Sequence, residues 1–99
     1  MKLELAPRAV RDAERHARWW RENRPAARLL FDQELAAALQ QIRTQPESGL
    51  AYPGIAGKRY QRLLMPRTRF HIYYRLAAPD TIRVVAIWGA VRERGPRLR

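Results

Sequence analysis

The chain has 99 residues, 46% hydrophobic and 9% aromatic, with a formal net charge of +11 and no cysteine. That length suits one domain with a single core, the apolar share argues against disorder, and the missing cysteine excludes disulfides and thiolate metal sites. No apolar run approaches the ~20 residues that cross a bilayer and residues 1–5 lack a signal-peptide core, so a cytoplasmic protein that makes no membrane contact is expected.

The charge is segregated. From Lys58 to Arg99 there are eleven basic residues against Asp80 and Glu93, a balance of +9, whereas residues 1–57 have nine basic and seven acidic, +2. Such a field points at an anionic partner: nucleic acid, ribosome or an acidic protein. Eighteen of the twenty basic residues are arginine, which suits bidentate contacts to phosphate and carboxylate but also reflects codon usage in an arginine-favouring genome.

In chain order, Lys2 to Leu5 alternates polar and apolar residues, a short strand by period. Ala6-Pro7 punctuates it, and residues 8–22 then place Val10, Ala13, Ala17 and Trp20 at helical spacing beside a charged face. Asn23-Arg24-Pro25 breaks this pattern. A second helix is expected over 26–44, with Ala27, Phe31, Leu35, Ala38 and Ile42 as its stripe. So short a connection predicts an antiparallel helical hairpin.

Residues 45–57 read as an irregular loop. The period then becomes two: strands over 59–65, 69–76 and 81–88, with turns at Pro66-Arg67 and Ala78-Pro79-Asp80. Residues 92–99 read as a basic tail that buries little. One domain over 1–99, of class α+β and order β-α-α-β-β-β, follows, with the helical hairpin on one face of an antiparallel sheet.

Alternation sorts the central strand. Phe70, Ile72, Tyr74 and Leu76 should lie under the helices, and Arg69, His71, Tyr73 and Arg75 should face outward. The strand before it puts Lys58, Tyr60, Arg62 and Leu64 on one side and Arg59, Gln61, Leu63 and Met65 on the other. An outer face rich in Arg, His and Tyr suits RNA, an acidic protein partner, or plain solvent.

The strand Pro66-Arg67-Thr68-Arg69-Phe70-His71-Ile72-Tyr73-Tyr74-Arg75, then Val84-Val85-Ala86-Ile87-Trp88-Gly89 and Arg92-Glu93-Arg94-Gly95-Pro96, resembles the RelE/ParE superfamily of toxins from bacterial type II toxin–antitoxin pairs. The likeness runs over essentially the whole chain and is closer to the ParE branch, in which a Thr-Arg-aromatic-His-aliphatic-Tyr-Tyr strand precedes one ending in Trp. It implies two antiparallel helices against an antiparallel sheet. It also implies a cognate antitoxin whose acidic C-terminal segment neutralises the toxin in a hetero-oligomer, to which a basic surface is complementary.

The resemblance implies one of two mechanisms, and fold alone does not choose between them. ParE-type members bind and poison DNA gyrase, and so inhibit growth without catalysis of their own; Arg62, Arg69, His71, Tyr73, Arg75, Arg92 and Arg94 are the expected contacts with target or antitoxin. RelE-type members cleave mRNA on the ribosome, which needs a base, an acid and cations around the phosphate. Here His71, Tyr73, Arg69 and Arg75 would be the catalytic candidates. Against that stand Gly89, where many relatives carry His after the Trp, the lack of any Tyr or His after Tyr74, and Lys58 as the only lysine nearby. Gyrase binding is therefore preferred and mRNA cleavage is the alternative. A basic nucleic-acid-binding module is a third reading, with charge as its only warrant.

Singly, His16 reads as a helix-boundary residue, Trp20 as core, Trp19 as an edge or exposed residue, and Trp88 as a core or rim anchor. Asp12, Glu14, Glu22, Asp32 and Glu34 read as ion partners for arginines. No metal site and no cofactor is expected.

Overall fold

Pro7 opens the first helix, α1 (Pro7–Asn23), since a proline at the first helical position gives up no needed N–H. The computed structural model describes residues 1–91 and 94–98. No side chain caps α1; instead the N–H of Ala6 donates to the carbonyl of Val84 at 2.9 Å and ties the helix start to the sheet. Pro25 stops it, and the Trp20 indole donates to the Ala27 carbonyl at 2.9 Å across the connection. Residues Pro25–Ala27 form a single 3₁₀ turn, so α2 (Leu30–Thr44) begins later than the sequence pattern suggests.

The strands are β1 (Lys2–Leu5), β2 (Leu50–Pro53), β3 (Arg59–Met65), β4 (Phe70–Ala78) and β5 (Thr81–Gly89), in the order β1-β5-β4-β3-β2. Neighbours pair antiparallel except β1, which runs parallel to β5. The expected α+β architecture holds, with a mixed sheet in place of a purely antiparallel one. β1 and β5 lie far apart in sequence and need no hairpin, so either direction was open to them. β2 lies where an irregular loop was expected. It is a four-residue edge strand ending in Pro53, and proline is tolerated at an edge because it owes no ladder N–H there.

One core lies between helices and sheet. Phe31, Ile42, Met65, Ile72, Tyr74, Ile82, Val84 and Ile87 are its fully buried large side chains. Ala9 rather than Val10 faces it from α1, and Val10 is exposed. Leu76, expected beneath the helices, is also exposed, because β4 runs on past their cover. Tyr74 spends its hydroxyl on the loop after α2, donating to the Pro46 carbonyl at 2.7 Å and accepting from the N–H of Gly49 at 3.0 Å. A Cβ at Gly49 would sit 2.3 Å from that hydroxyl, so only glycine permits the approach. Burial pushes the Tyr74 phenol above its ordinary range, against the hydrogen bonds from Gly49 and Ser48.

Two polar pins attach the helices. β1 covers β5 only to Val84, and beyond it α1 takes over. Asp12, buried, accepts from the N–H of Ile87 at 3.0 Å, and His16 Nε2 donates to the Ile87 carbonyl at 2.8 Å. One helical turn thus satisfies both backbone groups that an edge strand would have paired. Asp12 also accepts from Arg15 at 3.0 Å, the ionic role expected of it. Glu34 has another role: its carboxylate accepts from the N–H groups of Arg67 and Thr68 and from the Thr68 hydroxyl, at 2.8, 2.9 and 2.6 Å. It clamps the β3–β4 turn to α2. Burial alone would raise its pKa, but those donors and the Arg67 charge outweigh burial and hold it below the usual value. Among the described residues no helix is long and apolar enough to cross a membrane.

Candidate binding face and its C-terminal strap

The sheet's other face is built by pairing across four strands. Tyr52 lies opposite Tyr60, Arg62 opposite Tyr73, and His71 between Leu64 and Trp88. The Tyr52 and Tyr73 rings meet edge to face with centroids 4.7 Å apart, and the Arg62 guanidinium lies 5.6 Å from the Tyr52 ring centroid. Arg75 lies opposite Arg83, whose Nε is 3.1 Å from the Glu4 carboxylate, a charge contact without hydrogen-bond alignment.

This face is not open along its length. The expectation that the tail buries little fails for its described part, 94–98. Leu98 is 3% exposed and packs with Tyr60, Tyr73 and Ala86, and Pro96 is buried too. The Tyr52 hydroxyl donates to the Pro96 carbonyl at 2.7 Å, the Ile55 N–H to the Leu98 carbonyl at 2.7 Å, and the Trp88 indole to the Arg94 carbonyl at 3.0 Å. A second, smaller core results, on the side where the sequence pattern suggested solvent or a partner.

The expected site residues part accordingly. Arg62, His71 and Arg75 are half-buried on this face. Tyr73 points to it as expected but is 1% exposed, closed beneath Leu98 and its neighbours. Arg69 is not on the strand: it sits in the turn before β4 at φ 66°, a left-handed conformation uncommon for a residue with a Cβ. Its N–H reaches the Met65 carbonyl at 2.9 Å, and its carbonyl accepts from Ala90 at 2.8 Å, so the backbone is held from both sides. Arg94 is exposed, with its carbonyl engaged by Trp88. Arg92 lies outside the described residues, as do Glu93 and Arg99.

The chemistry follows from that placement. Burial, then the charges of Arg62 and Arg69, depress the His71 pKa below its ordinary value, so its ring is neutral at pH 7. Burial and neighbouring Tyr73 raise the Tyr52 phenol, with Arg62 pulling the other way. Near His71, then, are a neutral imidazole, guanidinium groups and a tyrosine shut away from solvent. Among the described residues no group of three His, Asp or Glu side chains could hold a metal ion. Sequence reasoning missed Leu98, Pro96 and Tyr52 as parts of this face. Its available signal was Leu98 itself, a lone leucine in a run of Arg, Gly and Pro.

A family model described as the ParE toxin of the type II toxin–antitoxin system parDE matches residues 3–93. Among solved structures, the chromosomal ParDE toxin–antitoxin system from P. aeruginosa includes a chain that superposes with a TM-score of 0.73 at 17% identity, covering 90% of this chain and 95% of that one. At that identity the likeness concerns the fold. No curated protein sequence matches. With the family model spanning nearly all of it, the chain belongs to the ParE toxin family of type II toxin–antitoxin systems.

Proposed function

We propose that this chain is the growth-inhibiting toxin of its pair, that it acts in the cytoplasm by binding and poisoning DNA gyrase, and that a cognate antitoxin with an acidic C-terminal segment neutralises it in a hetero-oligomeric complex. The observation that carries the choice of binding over catalysis is the closure of Tyr73. The tyrosine nearest to His71 on this face is sealed by Leu98 and its neighbours, so the pair offers no exposed proton donor beside the base. Arg62, Arg75 and Arg94 remain as an adhesive, cationic surface for target or antitoxin. An acidic segment meeting +9 over residues 58–99 gains in encounter rate and in complementarity.

Purified gyrase and this protein, mixed with relaxed plasmid and ATP, should lose supercoiling and accumulate cleaved DNA. Adding antitoxin should restore supercoiling. In cells, DNA synthesis should fail before protein synthesis in pulse labelling. Intact gyrase activity together with early arrest of translation would reject the gyrase reading. One observation speaks for the ribosome-dependent mRNA endonuclease: His71, kept neutral beside Arg62 and Arg69, is fit to accept a proton. On that reading His71→Ala abolishes mRNA cleavage on ribosomes; on the gyrase reading there is no cleavage to abolish.

A further inference from the structure

Four neighbouring strands each contribute an aromatic ring to the outer face: Tyr52 from β2, Tyr60 from β3, Tyr73 from β4 and Trp88 from β5. Guanidinium groups flank them, with Arg62 directly across from Tyr73 and Arg75 two residues further along β4. Residues Arg94 to Leu98 run over this row. Among the described residues their hold is the buried side chains of Pro96 and Leu98 and three hydrogen bonds, to the Pro96, Leu98 and Arg94 carbonyls.

Charge works against that hold. Arg94 and Arg97 are exposed and ride on the face that already carries Arg62 and Arg75, and no ion pair among the described residues compensates them. Like charges brought together cost free energy, the more so at low salt. The segment adds no strand to the sheet, so it can lift without breaking the ladder, and locally held segments open well below the cost of global unfolding.

We infer that residues 94–98 are a releasable strap that closes a latent binding face for single-stranded nucleic acid, formed by Tyr52, Tyr60, Tyr73 and Trp88 with Arg62 and Arg75. Rings on successive strands with cations between them match what an unpaired polynucleotide needs: a platform for its bases and guanidinium groups for its phosphates. An acidic peptide would use the cations and leave the rings idle. The gyrase reading concerns a protein target but shares the Tyr73 closure with this inference, since an opened strap would uncover Tyr73 beside His71. Cleavage of mRNA by the opened variant would therefore count against the gyrase reading, whereas oligouridylate binding without cleavage would leave it standing.

The test uses the full chain carrying Leu98→Ser, which removes the apolar anchor packed on Tyr60, Tyr73 and Ala86 and adds no charge. Exchange of the Ile55 amide, which donates to the Leu98 carbonyl, reports strap opening. Binding is read by fluorescence anisotropy of a labelled oligouridylate of about twelve nucleotides, within the span such faces cover. Faster Ile55 exchange with affinity tightened by roughly tenfold, about the share of one stacked base, is expected. Arg62→Ala in the opened variant should then remove most of the gain and flatten its salt dependence. Should Leu98→Ser lose its melting transition, Leu98→Ala, or Tyr52→Phe, which deletes only the hydroxyl donor to Pro96, serves for the same comparison. Faster exchange with unchanged oligouridylate affinity would overturn the inference. So would an equal gain for oligoglutamate of matched charge, a gain indifferent to Arg62→Ala, or Ile55 exchange that the anchor substitutions leave unchanged.

Discussion

The two faces of the sheet are covered in different ways. On one, α1 and α2, of 17 and 15 residues, bury a continuous apolar layer from Phe31 and Ile42 to Ile72 and Ile87. On the other, the five described residues from Arg94 to Leu98 close a cluster of tyrosines with Leu98, the buried Pro96 and three hydrogen bonds. The same strands feed both, so the difference lies in the cover. Helices joined to the sheet by large apolar contacts give stability. A short strap laid across cations gives closure that local events can undo. A toxin of a type II toxin–antitoxin system has reason to keep its adaptable surface away from the face that holds it together.

The largest effect should come from the helix side. Phe31→Ala empties a site that is 0% exposed and contacts the Phe70 ring edge to face at a 5.1 Å centroid separation, and should cost about 3–5 kcal/mol in denaturant unfolding. Next comes the polar pin. Asp12→Ala leaves the Ile87 N–H without its acceptor in a buried setting and should cost about 1–3 kcal/mol. Leu98→Ala should cost about 1 kcal/mol, below the usual range for a core leucine, since the strap can lift and no cavity need persist. A Leu98→Ala loss as large as that of Phe31→Ala would break the comparison and make the strap an integral part of the fold.

How much of this was legible in the sequence depends on how local its cause is. The strand over Arg59–Met65 and the placement of Phe70, Ile72 and Tyr74 under the helices follow from strict alternation, which side-chain geometry enforces residue by residue. β5 departs from it. The register shifts between Tyr73 and Tyr74 leave Val85 without a partner on β4, so Val84 and Ile87 both face the helices while Ala86 faces the strap. Such a bulge is set by pairing, not by composition. β2 escaped for the same reason: Leu50–Pro53 is a strand only because β3 pairs with it. Arg69 could be placed on the face by counting, but the turn needs a left-handed residue there, and the clamp of Glu34 on Arg67 and Thr68 holds that turn in place. Leu98 was lost to a reasonable habit, that of reading charged, Gly-Pro-containing termini as solvated. Its docking depends on a hydrophobic hollow made by residues far away in sequence. Arg62, Arg75 and His71, identified by type and period, lie half-buried on the outer face, whereas the exposure expected of Tyr73 was decided by the strap.

The smallest expected effect is on pH dependence, and it separates the two faces once more. His71, on the outer face, has its folded pKa depressed below the ordinary value near 6.5 by burial and by Arg62 and Arg69. Its neutral form is therefore favoured by folding; that contribution is complete above about pH 6.5 and is lost as pH falls through the folded value. Glu34, on the helix side, is also depressed, because Thr68 and the backbone donors outweigh its burial. Its stabilisation is complete above its ordinary value near 4.5 and disappears at lower pH. Melting curves from pH 8 to pH 3 should thus show a shallow fall beginning near 6.5 and a second one below 4.5. His71→Gln should flatten the first alone, and Glu34→Gln the second alone while lowering stability at neutral pH, since the amide oxygen of glutamine cannot replace a carboxylate that accepts from three donors. A single fall that both substitutions remove together would mean that strap and turn open as one unit, and that the two faces of the sheet are coupled through β4.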